Sequence, residues 1–294
     1  MASEGSGPPR GLSVVMPAFN EELGIEGAVA GVRDVLVRVE GPSEILVVDD
    51  GSTDATAARA ARAGARVLSL PENGGYGGAL KFGIASARYD RIAIIDADGT
   101  YPPDAIPELL AAGDRYAMVV GARIGESVSI PWARRPAKWV LTRLASYLAG
   151  RPIPDLNSGL RVMDRTLVER FEHLLPSGFS FTTTLTLAAL CSGKLVAYRP
   201  ISYYERVGAS KIRSTHALEF LLLVLRTVVY FNPLKVFLPL GAVFFGGGLA
   251  KFGYDLVIGN LSESALLGFL GGALLWAVGL LSDQISRLAL RGGR

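Results

Sequence analysis

The sequence contains few of the residues on which metal clusters and disulfide-rich folds depend. Its single cysteine, Cys191, excludes an internal disulfide framework and a zinc site built from several cysteines. Two histidines, His173 and His216, are too few for a histidine-based metal cluster. Only 19% of the 294 residues are charged, and the net charge of +3 is too small to indicate binding to nucleic acid. Because an average soluble protein has about 25% charged residues, and 50% of this chain is hydrophobic, we expect part of it to lie in lipid.

Two long apolar segments stand near the carboxyl end. Leu234–Ile258 and Ser264–Ser282 are each long enough to cross about 30 Å of hydrocarbon, and the short connector 259–263 would join them into a hairpin. Basic residues flank the hairpin, whereas the connector has none, so the rest of the chain is expected in the cytoplasm. The flanking residues are Arg226, Lys235, Arg287, Arg291 and Arg294. We therefore predict a two-span membrane hairpin over 233–294 with a basic tail, through which a homo-oligomer could form; two buried core helices are the alternative.

Two amphipathic segments precede the hairpin. Residues 131–149 combine an apolar helical face, a basic face and two tryptophans, which is typical of a helix lying among lipid headgroups. Residues 216–232 are more apolar and end at Asn232-Pro233, a helix stop. We expect both segments to be interfacial helices, with ordinary packing inside the protein as the alternative.

The chain from 11 to 215 alternates short apolar runs with amphipathic stretches, and residues 1–10 are predicted to be a flexible tail. The predicted strands are Leu12–Pro17, Glu44–Val48, Ala65–Leu70, Arg91–Ile95 and a fifth that contains Val119-Val120. This alternation predicts an α/β domain with a mostly parallel, Rossmann-like sheet covered on both faces. Ligands of such sheets bind at the carboxyl ends of the strands. The polar and special residues at those ends are Pro17, Asn20, Asp49, Asp50, Asp96, Asp98 and Arg123.

Asp96-Ala97-Asp98 places two carboxylates at the exit of the fourth strand. Their side chains share one face of an extended tripeptide, and such hard oxygen ligands suit Mg²⁺ or Mn²⁺ in company with phosphate oxygens. The motif alone is a weak signal, but it becomes strong opposite the Asp49-Asp50 pair on a neighbouring strand. A metal diphosphate indicates a nucleotide substrate, and one of Asp49 and Asp50 could accept hydrogen bonds from the base.

Five motifs follow one another in a fixed order. They are Pro17-Ala-Phe-Asn-Glu-Glu22, Asp49-Asp-Gly-Ser-Thr-Asp54, Asp96-Ala-Asp98, Gly121-Ala-Arg123 and Arg206-Val-Gly-Ala-Ser-Lys211. Over residues 12–215 this set resembles a family 2 glycosyltransferase of the dolichyl-phosphate mannose or glucose synthase type. The hairpin resembles that of bacterial polyprenyl-phosphate glycosyltransferases. The resemblance implies a GT-A domain that uses a UDP- or GDP-linked sugar.

The resemblance also implies roles for individual residues. The implied nucleotide-binding residues are Pro17, Phe19, Glu21, Asp50 and Ala97, the implied metal ligands are Asp96 and Asp98, and Arg206, Ser210 and Lys211 would lie on a loop that closes over the diphosphate. Phe19 stands where the family often has tyrosine, so a hydroxyl is missing while the ring can still pack on the nucleotide. The segment 73–78 resembles the glucose-type subgroup and favours a donor like UDP-glucose. UDP-N-acetylhexosamine, UDP-uronic acid and GDP-mannose stay open.

The charge of the implied acceptor, undecaprenyl or dolichyl phosphate, shapes the expected mechanism. A phosphate ester is already anionic near pH 7, because its second pKa is about 6, so no general base is required. Repulsion between two charges about 4 Å apart costs about 4 kcal/mol at an effective dielectric of 20. A metal ion and arginine side chains must offset this repulsion, so Asp98 and Arg123 are the expected catalytic residues. The residues expected to bind the acceptor phosphate are Arg123, Arg134 and Arg135. Transfer would proceed by in-line displacement with inversion.

Three other functions are alternatives to this one. A processive membrane polysaccharide synthase needs a Gln-x-x-Arg-Trp motif, whereas Gln284 is the only glutamine and has no such tryptophan beside it. A sugar-1-phosphate nucleotidyltransferase needs a glycine-rich activating loop near the first strand, which Pro17–Glu22 is not. A non-enzymatic lipid-binding scaffold would leave Asp96 and Asp98 dispensable. For the turn 155–159 and Arg161, structural and functional roles both stay open.

Overall fold

The computed structural model describes residues 11–124, 142–147, 149–204 and 217–292. Several predictions lie outside the described residues: the tail 1–10, most of the interfacial helix 131–149, and the loop that contains Arg206, Ser210 and Lys211.

A seven-stranded sheet forms the centre of the domain. Its strands are β1 Leu12–Ala18, β2 Ser43–Asp49, β3 Arg66–Ser69, β4 Arg91–Ile94, β5 Met118–Ala122, β6 Arg161–Asp164 and β7 Val196–Pro200. Their order is β3-β2-β1-β4-β6-β5-β7, and β6 runs antiparallel to both of its neighbours while the other pairs are parallel. The predicted mostly parallel sheet is therefore confirmed, with β6 and β7 as strands that the sequence patterns did not predict.

Helices cover both faces of this sheet. The helices are α1 Ile25–Leu36, α2 Thr56–Arg62, α3 Tyr76–Ser86, α4 Ile106–Gly113, α5 Arg165–Phe171, α6 Phe181–Cys191, α7 Ala217–Phe231, α8 Leu234–Ile258 and α9 Glu263–Gly292. Side chains of β1 alternate between two cores, as the period of a strand requires: Val14 and Met16 join α1 and α4, whereas Val15 joins α3 and α6. This double burial explains why the strands are continuous apolar runs.

The described side chains of α7, which are those of 222 and 224–231, include a side packed against the domain and an exposed side. Its residues Val224 and Val228 are fully buried in a third apolar cluster with Ala145 and α6 residues. On its other side Leu222 and Arg226 are exposed. The segment thus combines internal packing with an exposed face of apolar and basic side chains.

Two long helices, α8 and α9, pack against each other through glycines. A Cβ atom on Gly268 would lie 2.6 Å from the Cα of Gly248, so the backbones touch where these residues meet. Near the connector, Asp255 pairs with Lys251 and accepts a hydrogen bond of 2.9 Å from the backbone N–H of Ser262. The connector is therefore tied to the end of α8.

The two helices are long and apolar enough to cross a membrane, and their outward faces are apolar and exposed. The first coincides with the predicted span Leu234–Ile258. The second begins at Glu263 and continues to Gly292, ten residues beyond the predicted end at Ser282.

Candidate active site

The carboxyl ends of β1, β2, β4 and β5 lie at one edge of the sheet, where a cavity of about 410 Å³ opens. Eight residues predicted for the site line it: Pro17, Phe19, Glu21, Asp50, Asp96, Ala97, Asp98 and Arg123. The other five, Arg134, Arg135, Arg206, Ser210 and Lys211, lie outside the described residues. The structure thus brings four strand ends together around one space, as the strand order requires.

The loops that follow β1 and β2 hold each other. The backbone N–H of Asn20 donates to the Ser52 hydroxyl at 2.9 Å, and the backbone N–H of Thr53 donates to the side-chain oxygen of Asn20 at 2.9 Å. Asn20 has φ of 50°, a left-handed conformation that asparagine tolerates better than most residues. The two motif loops therefore act as one unit, which places Phe19 at the cavity wall.

Asp50 has a structural task in addition to its place at the cavity. Its two carboxylate oxygens accept hydrogen bonds from the backbone N–H groups of Gly74, at 2.8 Å, and Gly75, at 3.0 Å. Asp50 therefore fixes the loop that leads into α3. A carboxylate has about four acceptor positions, so the same group can also accept an N–H of a bound base.

Hydrogen bonds hold the two carboxylates of the Asp-Ala-Asp motif. The Tyr76 hydroxyl donates to Asp96 at 2.9 Å, and burial raises the pKa of Tyr76, which keeps the phenol protonated and able to donate. Asp98 accepts hydrogen bonds from the backbone N–H of Thr100 at 3.1 Å and from its hydroxyl at 2.6 Å. Gly159 packs so closely on Asp96 that a Cβ atom there would lie 2.4 Å from a carboxylate oxygen. Neighbouring residues thus fix both carboxylates.

Arg123 is held by a buried carboxylate. Its Nε and Nη2 atoms donate to the two oxygens of Asp155 at 2.7 and 2.9 Å, and Nη2 also donates to Asn157 at 2.9 Å. The guanidinium carbon lies 5.2 Å from the ring centre of Tyr203 and 5.9 Å from that of Tyr101. Burial lowers the pKa of Arg123, but hydrogen bonds to Asp155 raise it above its ordinary value. Arg123 is therefore a rigid cation that Asp155 balances.

Other residues that line the cavity were given no individual role from the sequence, although the segment 73–78 and the turn 155–159, which contain three of them, were singled out. They are Asn73, Tyr76, Tyr101, Asn157, Phe179, Thr182 and Tyr203. Tyr76 and Phe179 stack with ring centres 5.7 Å apart, and Tyr101 meets Tyr203 edge to face at 5.2 Å. The sequence signal that could have pointed to Tyr101 is its position three residues after Asp98. Phe179 and Tyr203 come from segments that had no such signal.

The exit of β4 fits a hard divalent cation. Asp96 and Asp98 line the same cavity, and carboxylate oxygens are the protein ligands that Mg²⁺ and Mn²⁺ prefer. Among the residues that the structure describes, no group of three or more histidine, cysteine, aspartate or glutamate side chains could hold a metal ion. Two carboxylates suffice where phosphate oxygens complete the shell, so the residues fit a cation that binds together with a diphosphate.

Comparison with protein families gives two matches. The model of glycosyl transferase family 2 matches residues 13–171, which include all of β1 except Leu12, the strands β2 to β6 and every described residue predicted for the site. The model of the GtrB C-terminal hairpin matches residues 232–288, which include α8 and most of α9. Together the two models cover six of the seven strands and most of the apolar hairpin, whereas α6, β7 and α7 lie between them.

Two curated relatives come from Haloferax volcanii. A dolichyl-phosphate hexose transferase is 32% identical over 203 residues, which are 68% of this chain and 86% of the relative. The low-salt glycan biosynthesis hexosyltransferase Agl6 is 33% identical over 211 residues, which are 69% of this chain but 50% of the relative.

Solved structures of glucosyl-3-phosphoglycerate synthase from Mycobacterium tuberculosis have a similar fold. The complex with Mn²⁺, UDP and phosphoglyceric acid superposes with a TM-score of 0.61 at 24% identity, over 74% of this chain and 78% of that one. The complex with Mn²⁺, UDP and glucosyl-3-phosphoglycerate superposes with a TM-score of 0.59 at 26% identity, over 74% of this chain and 80% of that one. The predicted GT-A fold class is therefore confirmed.

Proposed function

Because this chain belongs to glycosyl transferase family 2, we propose that it transfers a hexose from a nucleoside diphosphate sugar to a polyprenyl phosphate. The observation that carries the proposal is the single cavity lined by Asp50, Asp96, Asp98 and Arg123, in a chain that continues into two long apolar helices. The relative named dolichyl-phosphate hexose transferase and the match to the GtrB hairpin support a lipid acceptor.

The nucleoside would bind at the ends of β1 and β2. Pro17, Phe19, Glu21 and Ala97 line this part of the cavity, and Asp50 would accept hydrogen bonds from the base while it holds the loop at Gly74 and Gly75. UDP in the similar solved structures supports a uridine donor, and we place UDP-glucose first among the donors to be tested.

Asp96 and Asp98 would hold Mg²⁺ or Mn²⁺ together with the diphosphate of the donor. The metal would supply positive charge that stabilises the leaving nucleoside diphosphate. Tyr76 and Thr100 serve this step by holding one oxygen of each carboxylate in place. Mn²⁺ in the similar solved structures supports this assignment.

The acceptor phosphate would approach from the side of Arg123. It is anionic near neutral pH and attacks without a general base, which agrees with a described cavity lining that contains no histidine. An oxygen of the phosphate forms a bond to the anomeric carbon while the bond to the diphosphate breaks, so the configuration inverts. Arg134 and Arg135, and the loop residues Arg206, Ser210 and Lys211, are proposed to complete the phosphate sites.

The sheet domain is proposed to lie on the cytoplasmic side of the membrane. Three basic residues favour the cytoplasm for the domain side of the hairpin: Arg226 on α7, Lys235 at the start of α8 and Arg287 near the end of α9. Lys251 is the basic residue nearest to the connector, and its charge is balanced by Asp255. The exposed face of α7 would then lie near the headgroups, because α7 leads directly into the hairpin.

The purified full chain, incubated with undecaprenyl phosphate and a panel of radiolabelled nucleotide sugars, tests the proposal. We expect one sugar per lipid, an anomeric configuration opposite to that of the donor, and complete loss of turnover in excess EDTA. Asp98→Asn should lower kcat/KM at least about 100-fold. The control Asp34→Asn alters an exposed carboxylate on α1 and should leave the rate unchanged. Full activity of Asp98→Asn, or the growth of long sugar chains, would contradict the proposal.

A further inference from the structure

Arg161 is a fully buried charged residue beside the candidate active site. It is the first residue of β6, and its side chain is 0% exposed. Because β6 is antiparallel, Arg161 pairs in register with Ile94 and Val120, near the ends of β4 and β5 from which Asp96 and Arg123 follow. The residue therefore lies at the sheet edge where the cavity opens.

The hydrogen-bond partners of the Arg161 guanidinium are all neutral. Nε and Nη2 donate to the carbonyl of Ser158 at 3.1 and 2.6 Å, and Nη1 donates to the Thr182 carbonyl at 3.0 Å and the Thr186 hydroxyl at 2.9 Å. In the described parts of the chain, no carboxylate lies within ion-pair distance of this guanidinium. A buried cation is unfavourable unless an anion compensates it, so the charge of Arg161 needs an explanation.

Arg161 is joined to the cavity through two of its partners. Thr182, whose carbonyl it holds, lines the cavity. Ser158 precedes Gly159, the residue that packs on the carboxylate of Asp96. Arg161 thus connects the first turn of α6 with the segment behind the Asp-Ala-Asp motif, and its charge lies one layer beneath the cavity floor.

The charges near Arg161 do not cancel. Asp155 is 1% exposed and is already paired with Arg123. Burial lowers the pKa of Arg161, and the Asp155 carboxylate opposes that shift. Behind one wall of the cavity lie two cations and one carboxylate, which are Arg123, Arg161 and Asp155. The rest of the described lining is acidic, because it contains Glu21, Asp50, Asp96 and Asp98. Counted over Arg123, Asp155 and Arg161 alone, this wall has one positive charge in excess, and the Asp96 carboxylate that packs against Gly159 borders it.

We propose that Arg161 is a positioning residue that selects a phosphate acceptor over a neutral hydroxyl. Its buried guanidinium, which lies behind Thr182, makes the electrostatic potential at this wall of the cavity more positive. The inference rests on the proposed function, since it assigns the wall to the acceptor phosphate. An anion that binds above these residues is attracted by their excess charge, so an acceptor that carries a phosphate gains affinity that the corresponding alcohol does not.

Three variants separate the charge of Arg161 from its role in packing. Arg161→Gln removes the charge, and Arg161→Lys retains it but loses the forked hydrogen bonds. Thr186→Val removes the hydrogen bond from Arg161 and the one to the Thr182 carbonyl without any change of charge. Dissociation constants are measured with the full chain in detergent, for citronellyl phosphate, citronellol and UDP with Mn²⁺. Thermal unfolding of each variant is recorded in parallel.

We expect Arg161→Gln to weaken the binding of citronellyl phosphate at least about tenfold, with citronellol and UDP changed less than about threefold. Arg161→Lys should stay within about threefold of the wild type for citronellyl phosphate, although its unfolding temperature falls. Thr186→Val should lower the unfolding temperature and leave all three affinities unchanged.

Unchanged binding of citronellyl phosphate by Arg161→Gln would overturn the inference, as would an equal loss of UDP affinity. If Arg161→Gln does not fold, Arg161→Lys decides: a folded lysine variant that binds citronellyl phosphate more than about tenfold weaker shows that charge is not the cause. A wild-type chain that neither binds citronellyl phosphate nor transfers sugar would contradict the proposed function itself. A wild-type chain that transfers sugar, with Arg161→Gln unaffected, would contradict only the inference.

Discussion

At the residue scale, Tyr76 is the side chain through which α3 acts on the Asp-Ala-Asp motif. Its hydroxyl donates to Asp96, while its ring stacks on Phe179. A hydrogen bond to a charged acceptor contributes about 1.5–3 kcal/mol, and outer partners of metal-binding groups affect both metal affinity and rate.

Tyr76→Phe should therefore weaken the site without disturbing its packing, since the ring stays in place. We expect kcat/KM to fall about tenfold and the concentration of Mn²⁺ at half-maximal rate to rise by a similar factor. Steady-state rates over a metal titration measure both. Tyr116→Phe, which alters a tyrosine outside the cavity, is the control; an equal effect of the two substitutions would contradict the role given to Tyr76.

Glu44 gives the sheet a dependence on pH. Its carboxylate accepts hydrogen bonds from the Ser13 hydroxyl at 2.7 Å and the backbone N–H of Arg88 at 2.6 Å, and it pairs with Arg66 at 3.2 Å. Burial raises the pKa of Glu44, but these hydrogen bonds lower it below the ordinary 4.5. Its contribution to stability is therefore complete above pH 4.5 and is lost as the pH falls through the lower pKa of the folded state.

Glu44→Gln should accordingly lower the free energy of unfolding by about 1–3 kcal/mol at pH 7. The difference between wild type and variant should shrink as the pH is lowered below 4.5. Thermal unfolding in detergent at a series of pH values measures it. Glu40→Gln, at an exposed position, should match the wild type throughout. A difference that grows towards low pH would refute this assignment.

The two carboxylates of the site and Arg123 were predictable from the sequence, whereas the residues that hold Arg123 were not. Asp96 and Asp98 follow an apolar strand directly, and strand ends of a parallel sheet share one edge. Asp155 and Tyr203 reach Arg123 from segments 32 and 80 positions further along the chain, which no local pattern reveals. The burial of Arg161 was equally hidden, because an arginine at the start of a short strand resembles a surface residue.

At the element scale, β1 to β5 were predictable because each is an apolar run between turn residues. The strand β6 has four residues with a charge at either end, so neither its existence nor its antiparallel direction follows from the pattern. The hairpin was predictable from length and hydrophobicity alone. Its internal register was not, because that depends on which glycines face the partner helix.

Neighbouring glycines of α8 provide a matched test of that register. A Cβ atom on Gly248 would lie 2.9–3.0 Å from backbone atoms of α9, whereas one on Gly247 would meet nothing within 4 Å. Gly248→Ala should lower the unfolding temperature in detergent, because the helices must separate. Gly247→Ala should leave it unchanged or raise it, since alanine favours helix by about 1 kcal/mol. Equal effects of both substitutions would show that the helices pack through another face.

At the scale of the whole molecule, the proposed topology places the connector outside the cell and the sheet domain inside. Asn260→Cys in the connector should react with a membrane-impermeant maleimide in intact cells, whereas Glu40→Cys should react only after permeabilisation. Burial raises the pKa of the native Cys191 to about 11, so its thiol is protonated at pH 7 and reacts slowly. Labelling of Glu40→Cys in intact cells would reverse the proposed orientation.

The length of α9 also sets how the two parts of the molecule are connected. Its 30 residues extend about 45 Å, which exceeds the hydrocarbon thickness of about 30 Å. The turns that extend beyond this thickness contain the Asp283–Arg287 ion pair. The helix α9 contacts α7, and α7 packs on α6. The first turn of α6 forms the floor of the cavity. Helices in contact with one another thus connect the bilayer to the cavity. Because these helices hold the cavity at a fixed distance from the bilayer, the lipid headgroup must move from the membrane surface to the donor sugar. Lengthening α9 would increase that distance and place the cavity beyond the reach of the headgroup.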